Sequence, residues 1–176
     1  ALVGPMGSEL GYREATAGLL MAAFFAVSAL VSRKAGALAD SVGPITTLQI
    51  GLVGSAIVAA GVAAGVRSVT LLAIAMMVGG ACNALTQIAA NVYLARYLPP
   101  DRHGLAFAVK QSANPGGAMA AGLLLPTLVL NLGWRSAFVV AACGAGCSAV
   151  ALQAGRNWPP AVPVPDVGIR QGAVTT

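Results

Sequence analysis

Asn83, Gln87 and Asn91 recur every fourth residue within one apolar run, a spacing that stacks three carboxamides on one face of a helix. In the next apolar run Lys110 is followed closely by Gln111, Ser112 and Asn114, and it is the only charge well inside any such run. Carboxamides both donate and accept hydrogen bonds, so the first group suits either contact with a polar solute or bonds between helices. An ammonium in hydrocarbon needs a partner, water or a path to the headgroups. Lys110 is therefore read in three ways: as part of a binding site, as a side chain snorkelling to the membrane surface, or as a structural hydrogen-bond donor. Counted along its helix at 1.5 Å per residue, Lys110 lies about 8 Å deep and Asn91 on the antiparallel neighbour about 6 Å, so the two polar faces can meet. Catalytic patterns are lacking. No paired carboxylates, His-Glu-x-x-His, Gly-x-Gly-x-x-Gly or phosphate loop occurs, and Gly146-Cys147-Ser148-Ala149-Val150 departs from the nucleophile elbow at its last position. His103 is the only histidine, and Cys82, Cys143 and Cys147 all fall in apolar runs, where they read as packing residues; no metal set and no cofactor is expected.

Polar groups at this spacing need helices to carry them, and the composition says where those helices lie. Of 176 residues, 57% are apolar and 9% charged, with a mean hydropathy of +0.81. A soluble surface cannot be built from so few charges, so the outside faces lipid. The 22 glycines suit tightly packed transmembrane helices, and no run alternates apolar and polar residues as a barrel strand would. Five stretches approach the roughly 20 residues needed to cross the bilayer: about 15–32, 45–64, 69–95, 105–130 and 136–154. The expected fold is an all-α, polytopic transmembrane bundle over residues 1–158, with 159–176 a Pro-rich, flexible cytoplasmic tail or the start of a central loop. Pro115 should bend the fourth span near Asn114. Gly61-x-x-x-Gly65 and Ala142-x-x-x-Gly146 have the spacing of close helix contacts.

The net charge of +5 does not indicate nucleic acid, because the basic residues are scattered between spans. Five spans divide them unequally: Arg33, Lys34, Arg96, Arg102, Arg156 and Arg170 on one side, Arg13, Arg67 and Arg135 on the other. The richer side is expected to be cytoplasmic, with the C-terminus, in the cell (inner) membrane.

Between the first two spans, Gly36-Ala37-Leu38-Ala39-Asp40-Ser41-Val42-Gly43 resembles the signature loop of the major facilitator superfamily of transporters, although Ser41, Pro44 and Ile45 stand where basic residues are usual. Pro99-Pro100-Asp101-Arg102-His103-Gly104 resembles that family's loop between its fourth and fifth helices. Gly133-Trp134-Arg135-Ser136-Ala137-Phe138 resembles the motif before its sixth. The resemblance implies a six-helix half lacking its first helix, part of a secondary transporter working by alternating access on an unknown small solute. It also implies a gating role for Gly36, Asp40 and Gly43, with Asp40 free to pair with Arg33, Lys34 or Arg96 and the glycines turning the chain. Asn83, Gln87, Asn91, Lys110 and Asn114 become candidate substrate-facing residues. The expected partners are the lipid bilayer, the missing helix and opposing half, or a second copy of the chain. A small membrane protein acting in assembly without transport is the alternative, and an intramembrane enzyme is a third reading that would need catalytic groups from another subunit.

Overall fold

The computed structural model describes residues 7, 9, 11, 12 and 14–154. The expected tail, with Arg156 and Arg170, lies outside the described residues, as does Arg13. Five helices follow one another: α1 (Glu14–Val42), α2 (Pro44–Gly65), α3 (Val69–Tyr97), α4 (His103–Leu132) and α5 (Arg135–Ala154), with a single 3-10 turn over Pro100–Arg102 before α4. Among the described residues there is no strand. Each helix is long and apolar enough to cross a membrane. Their short links force neighbours in sequence to run antiparallel, so two ends can be named: the Asp40 end and the Trp134 end.

Packing gives α3 the central place. It lies along both α1 and α2, and α2 continues the layer to α5. Lipid tails are as apolar as leucine, so close backbone approach, more than burial of oily side chains, has to hold such helices together. Gly80 shows this on α3: a Cβ there would stand 2.2 Å from the Phe24 carbonyl oxygen of α1. Gly51 and Gly54 of α2 meet Cys82 in the same manner, which is the packing role expected of that thiol. The sequence-expected contacts are elsewhere and are not made. Gly61, Gly65 and Gly146 have no atom within 4 Å of an added Cβ, because small-residue spacing brings helices together only on a face that meets another helix. Larger side chains gather at the Trp134 end, where Leu20, Val62, Val66, Leu72 and Trp134 are buried.

One local expectation changes. α1 runs on to Val42, ten residues beyond Ser32, so Gly36 sits within a helix and not in a turn. Ala35, Ala37, Leu38 and Ala39 are helix formers, and one glycine among them costs only about 1 kcal/mol. The chain turns at Gly43 alone, with φ of 91°, a conformation that glycine adopts without steric cost, and Pro44 then opens the first turn of α2. The helix α4 passes Pro115 and Pro126 without leaving the helical state. In hydrocarbon no water replaces lost backbone bonds, so giving up one bond per proline is cheaper than breaking a turn. No described residue of α4 is buried, and Leu105, Met119 and Leu123 are each more than 70% exposed.

Candidate functional site

Gln87 and Asn91 face α4 because they lie one helical turn apart on the same side of α3. From α4, Lys110 reaches back across the gap: its Nζ donates to Gln87 Oε1 at 2.8 Å and to Asn91 Oδ1 at 2.7 Å, with the Gln87 main-chain oxygen at 3.5 Å. Lys110 is half-buried and seven residues from the start of its helix, about 10 Å along the axis. The ammonium is directed across to α3. Two of the five candidate residues stay apart from this cluster. Asn114, one turn further along α4, is exposed and has no hydrogen bond among the described residues. Asn83 turns to α1, where its Nδ2 donates to Ser28 Oγ at 3.1 Å. The four-residue spacing put all three amides on one face, but a helix wedged between two neighbours shares even a narrow face between them.

At the Asp40 end, Arg96 donates to Asp40 Oδ1 at 2.6 Å, joining the last turn of α1 to the last turn of α3. Arg33 and Lys34, also open to Asp40 by sequence, form no ion pair with it. The pair is exposed, 60% at Asp40 and 49% at Arg96, and so is screened by solvent. On the same side His103 Nε2 lies 2.8 Å from the Leu98 carbonyl oxygen and closes the 3-10 turn. Gln49 Nε2 donates to Gln153 Oε1, tying α2 to α5. Between α2, α3, α4 and α5 at this end lies a cavity of about 950 Å³, walled mainly by apolar side chains such as Leu48, Leu94 and Leu152, with Lys110 and Arg102 among its lining residues.

The Trp134 end carries a cluster that the sequence did not single out. Trp134 Nε1 donates to one oxygen of Glu9, and Arg135 donates to the other at 2.7 Å and lies 4.9 Å above the Trp134 ring. The same guanidinium is 3.5 Å from the Val66 carbonyl oxygen, so three segments distant in sequence meet here. The indole N–H, and with it the Arg135 charge, holds the Glu9 carboxyl below its ordinary range against the opposing effect of burial. The Gly-Trp-Arg motif was legible, but its acid lies 125 residues away, and only the side of the membrane assigned to both could have suggested the pair. Among the described residues no group of three or more His, Cys, Asp or Glu side chains could hold a metal, and the three cysteines are free.

Sequence comparison extends beyond these contacts. A protein of Oryza sativa subsp. japonica named "Probable anion transporter 1, chloroplastic" is 27% identical over 135 residues, which cover 76% of this chain and 26% of that protein. The chain thus spans about a quarter of the length of this curated relative. No solved structure matches. The family model of the Major Facilitator Superfamily matches residues 1–171. A match over nearly the whole length, on a chain folded into five membrane-spanning helices, means that the protein belongs to the Major Facilitator Superfamily.

Proposed function

We propose that this chain is part of a secondary transporter that moves a small solute across a membrane by alternating access. The observation carrying this reading is the Lys110 cluster: an ammonium held between two helices within the spans, where an ionisable side chain is retained at a cost that structure alone does not require. Family membership supports the same reading. Asp40 and Arg96 join two helix ends and fit a gate, with Gly43 as the pivot. The Asp40 end faces the cytoplasm of the cell membrane in this proposal, following the excess of Arg and Lys on that side.

The helix packing also supports a larger assembly. Halves of this superfamily contain two inverted three-helix repeats. A two-fold relation carrying α1 onto α4 and α2 onto α5 matches the light contacts of α1 with α2 and of α4 with α5. Under it, α3 packs along α1 and its counterpart would pack along α4. No described helix takes that place, while α4 has no buried residue and the 950 Å³ cavity lies at its side. A further helix seated there, and an opposing half beyond it, complete the transporter. The test is counterflow in proteoliposomes. Those holding this chain alone are expected to show no solute accumulation, and those holding it joined to both a further helix and an opposing superfamily half to show saturable exchange. Saturable accumulation by this chain alone would overturn the half-transporter reading.

A further inference from the structure

We propose, on the reading of the chain as part of a solute transporter, that the Lys110 cluster recognises a small organic anion of single charge through its carboxylate or a similar oxyanion. Both amide oxygens of the cluster are already committed, since Gln87 Oε1 and Asn91 Oδ1 each accept from the ammonium. A carboxamide whose oxygen faces the lysine turns its NH2 group away. Neither NH2 group has a hydrogen-bond partner among the described residues, and no buried side-chain nitrogen or oxygen lacks one, so both NH2 groups lie open to an incoming ligand. What the cluster offers is therefore N–H donors around one positive charge. Its remaining acceptor, the Gln87 main-chain oxygen, is 3.5 Å from the same ammonium.

Charge balance selects the ligand further. The five acids of the chain are Glu9, Glu14, Asp40, Asp101 and Asp166, and among the described residues none lies in the interior of a span. Amide oxygens solvate the ammonium but leave its full charge in a medium of low dielectric. One bound negative charge removes that cost. A cation would be repelled; a neutral solute would leave the charge in place; a dianion would bring one charge in excess.

Equilibrium dialysis of radiolabelled benzoate against the full chain in phosphatidylcholine nanodiscs tests this, with benzyl alcohol, benzylammonium and inorganic phosphate as competitors. Saturable benzoate binding is expected, displaced by phosphate only weakly and by the neutral and cationic analogues not at all. Lys110→Met should weaken it about tenfold or more, the worth of a charge-assisted hydrogen bond, while Lys110→Arg retains it. Gln87→Glu is the second variant: it keeps the side chain's shape and gives Lys110 a built-in counter-charge. It should leave thermal stability undiminished and still lose benzoate as Lys110→Met does. Absence of saturable binding, equal displacement by benzylammonium, or wild-type binding by Gln87→Glu would overturn the proposal. The transporter reading is separable. Solute exchange by the completed transporter that persists in Lys110→Met removes the anion and leaves transport standing, whereas benzoate binding with no exchange by the completed transporter removes transport alone.

Discussion

At the scale of single residues, polar contacts divide by where they sit. Asp40 and Arg96 are exposed at the ends of two helices, so their pair is worth at most about 1 kcal/mol. A contribution of that size is too small to hold the fold but enough to bias one state of a two-state element. Asp40→Asn in a complete transporter is therefore expected to change the rate of conformational cycling by up to about fivefold with little change in substrate affinity. Unchanged exchange at saturating substrate would remove the gating role. Glu9 gives a pH dependence with a definite sign. Its folded pKa is lowered from 4.5, first by the Trp134 indole, so its contribution is present above the unfolded value and is lost as pH falls through the folded one. In a Trp158→Phe background, Trp134 fluorescence should hold steady on the alkaline side and change only on acidification below about 4.5, with Glu9→Gln abolishing the transition. A transition retained in Glu9→Gln would assign it to another group.

Element by element, the helices differ in what holds them. The contact of α1 with α3 depends on Gly80, because any larger residue must displace the Phe24 main chain, which cannot rotate out of the way as a side chain could. Gly80→Ala is expected to destabilise the bundle by about 1–3 kcal/mol, the range for overpacking. Gly61→Ala, on an open face of α2, should stay within about 0.5 kcal/mol. Denaturant unfolding of the two variants in one detergent checks the contrast, and equal effects would mean that α1 and α3 are not in close contact. By comparison α4 has few packing contacts. Its link to α3 includes the Lys110 hydrogen bonds, so the proposed site also helps to attach the helix.

For the whole molecule, five apolar helices and membership of the superfamily describe an integral, multi-pass membrane protein. The helix count and the short links place His103 and Gly43 on one side and Asn131 and Gly11 on the other. Orientation is expected from the arginine and lysine bias, with His103 inside. Single cysteines introduced at 103 and 131 in a cysteine-free background should label only from the cytoplasmic and the outer side, respectively, and external labelling at 103 would reverse the assignment.

The sequence by itself determined what depends on local composition. Apolar length gave five spans, Gly43-Pro44 and Pro99-Pro100 gave breaks, and the depth of Lys110 against that of Asn91 was enough to bring them level, because rise per residue is fixed once a helix forms. Three loop motifs carried the resemblance to the family. Tertiary structure decided whatever depends on which helix stands opposite. Asn83 was separated from Gln87 and Asn91 because α3 lies between α1 and α4, and sequence periodicity names a face but not its neighbours. Close packing fell at Gly80 and not at Gly61 for the same reason. Glu9, Trp134 and Arg135 come together only because the chain crosses the bundle before they meet, and no local pattern encodes a contact across 125 residues. Gly36 belongs to neither group: the motif suggested a turn, but its alanine- and leucine-rich neighbours kept it helical, and the turn was left to the one glycine followed by proline.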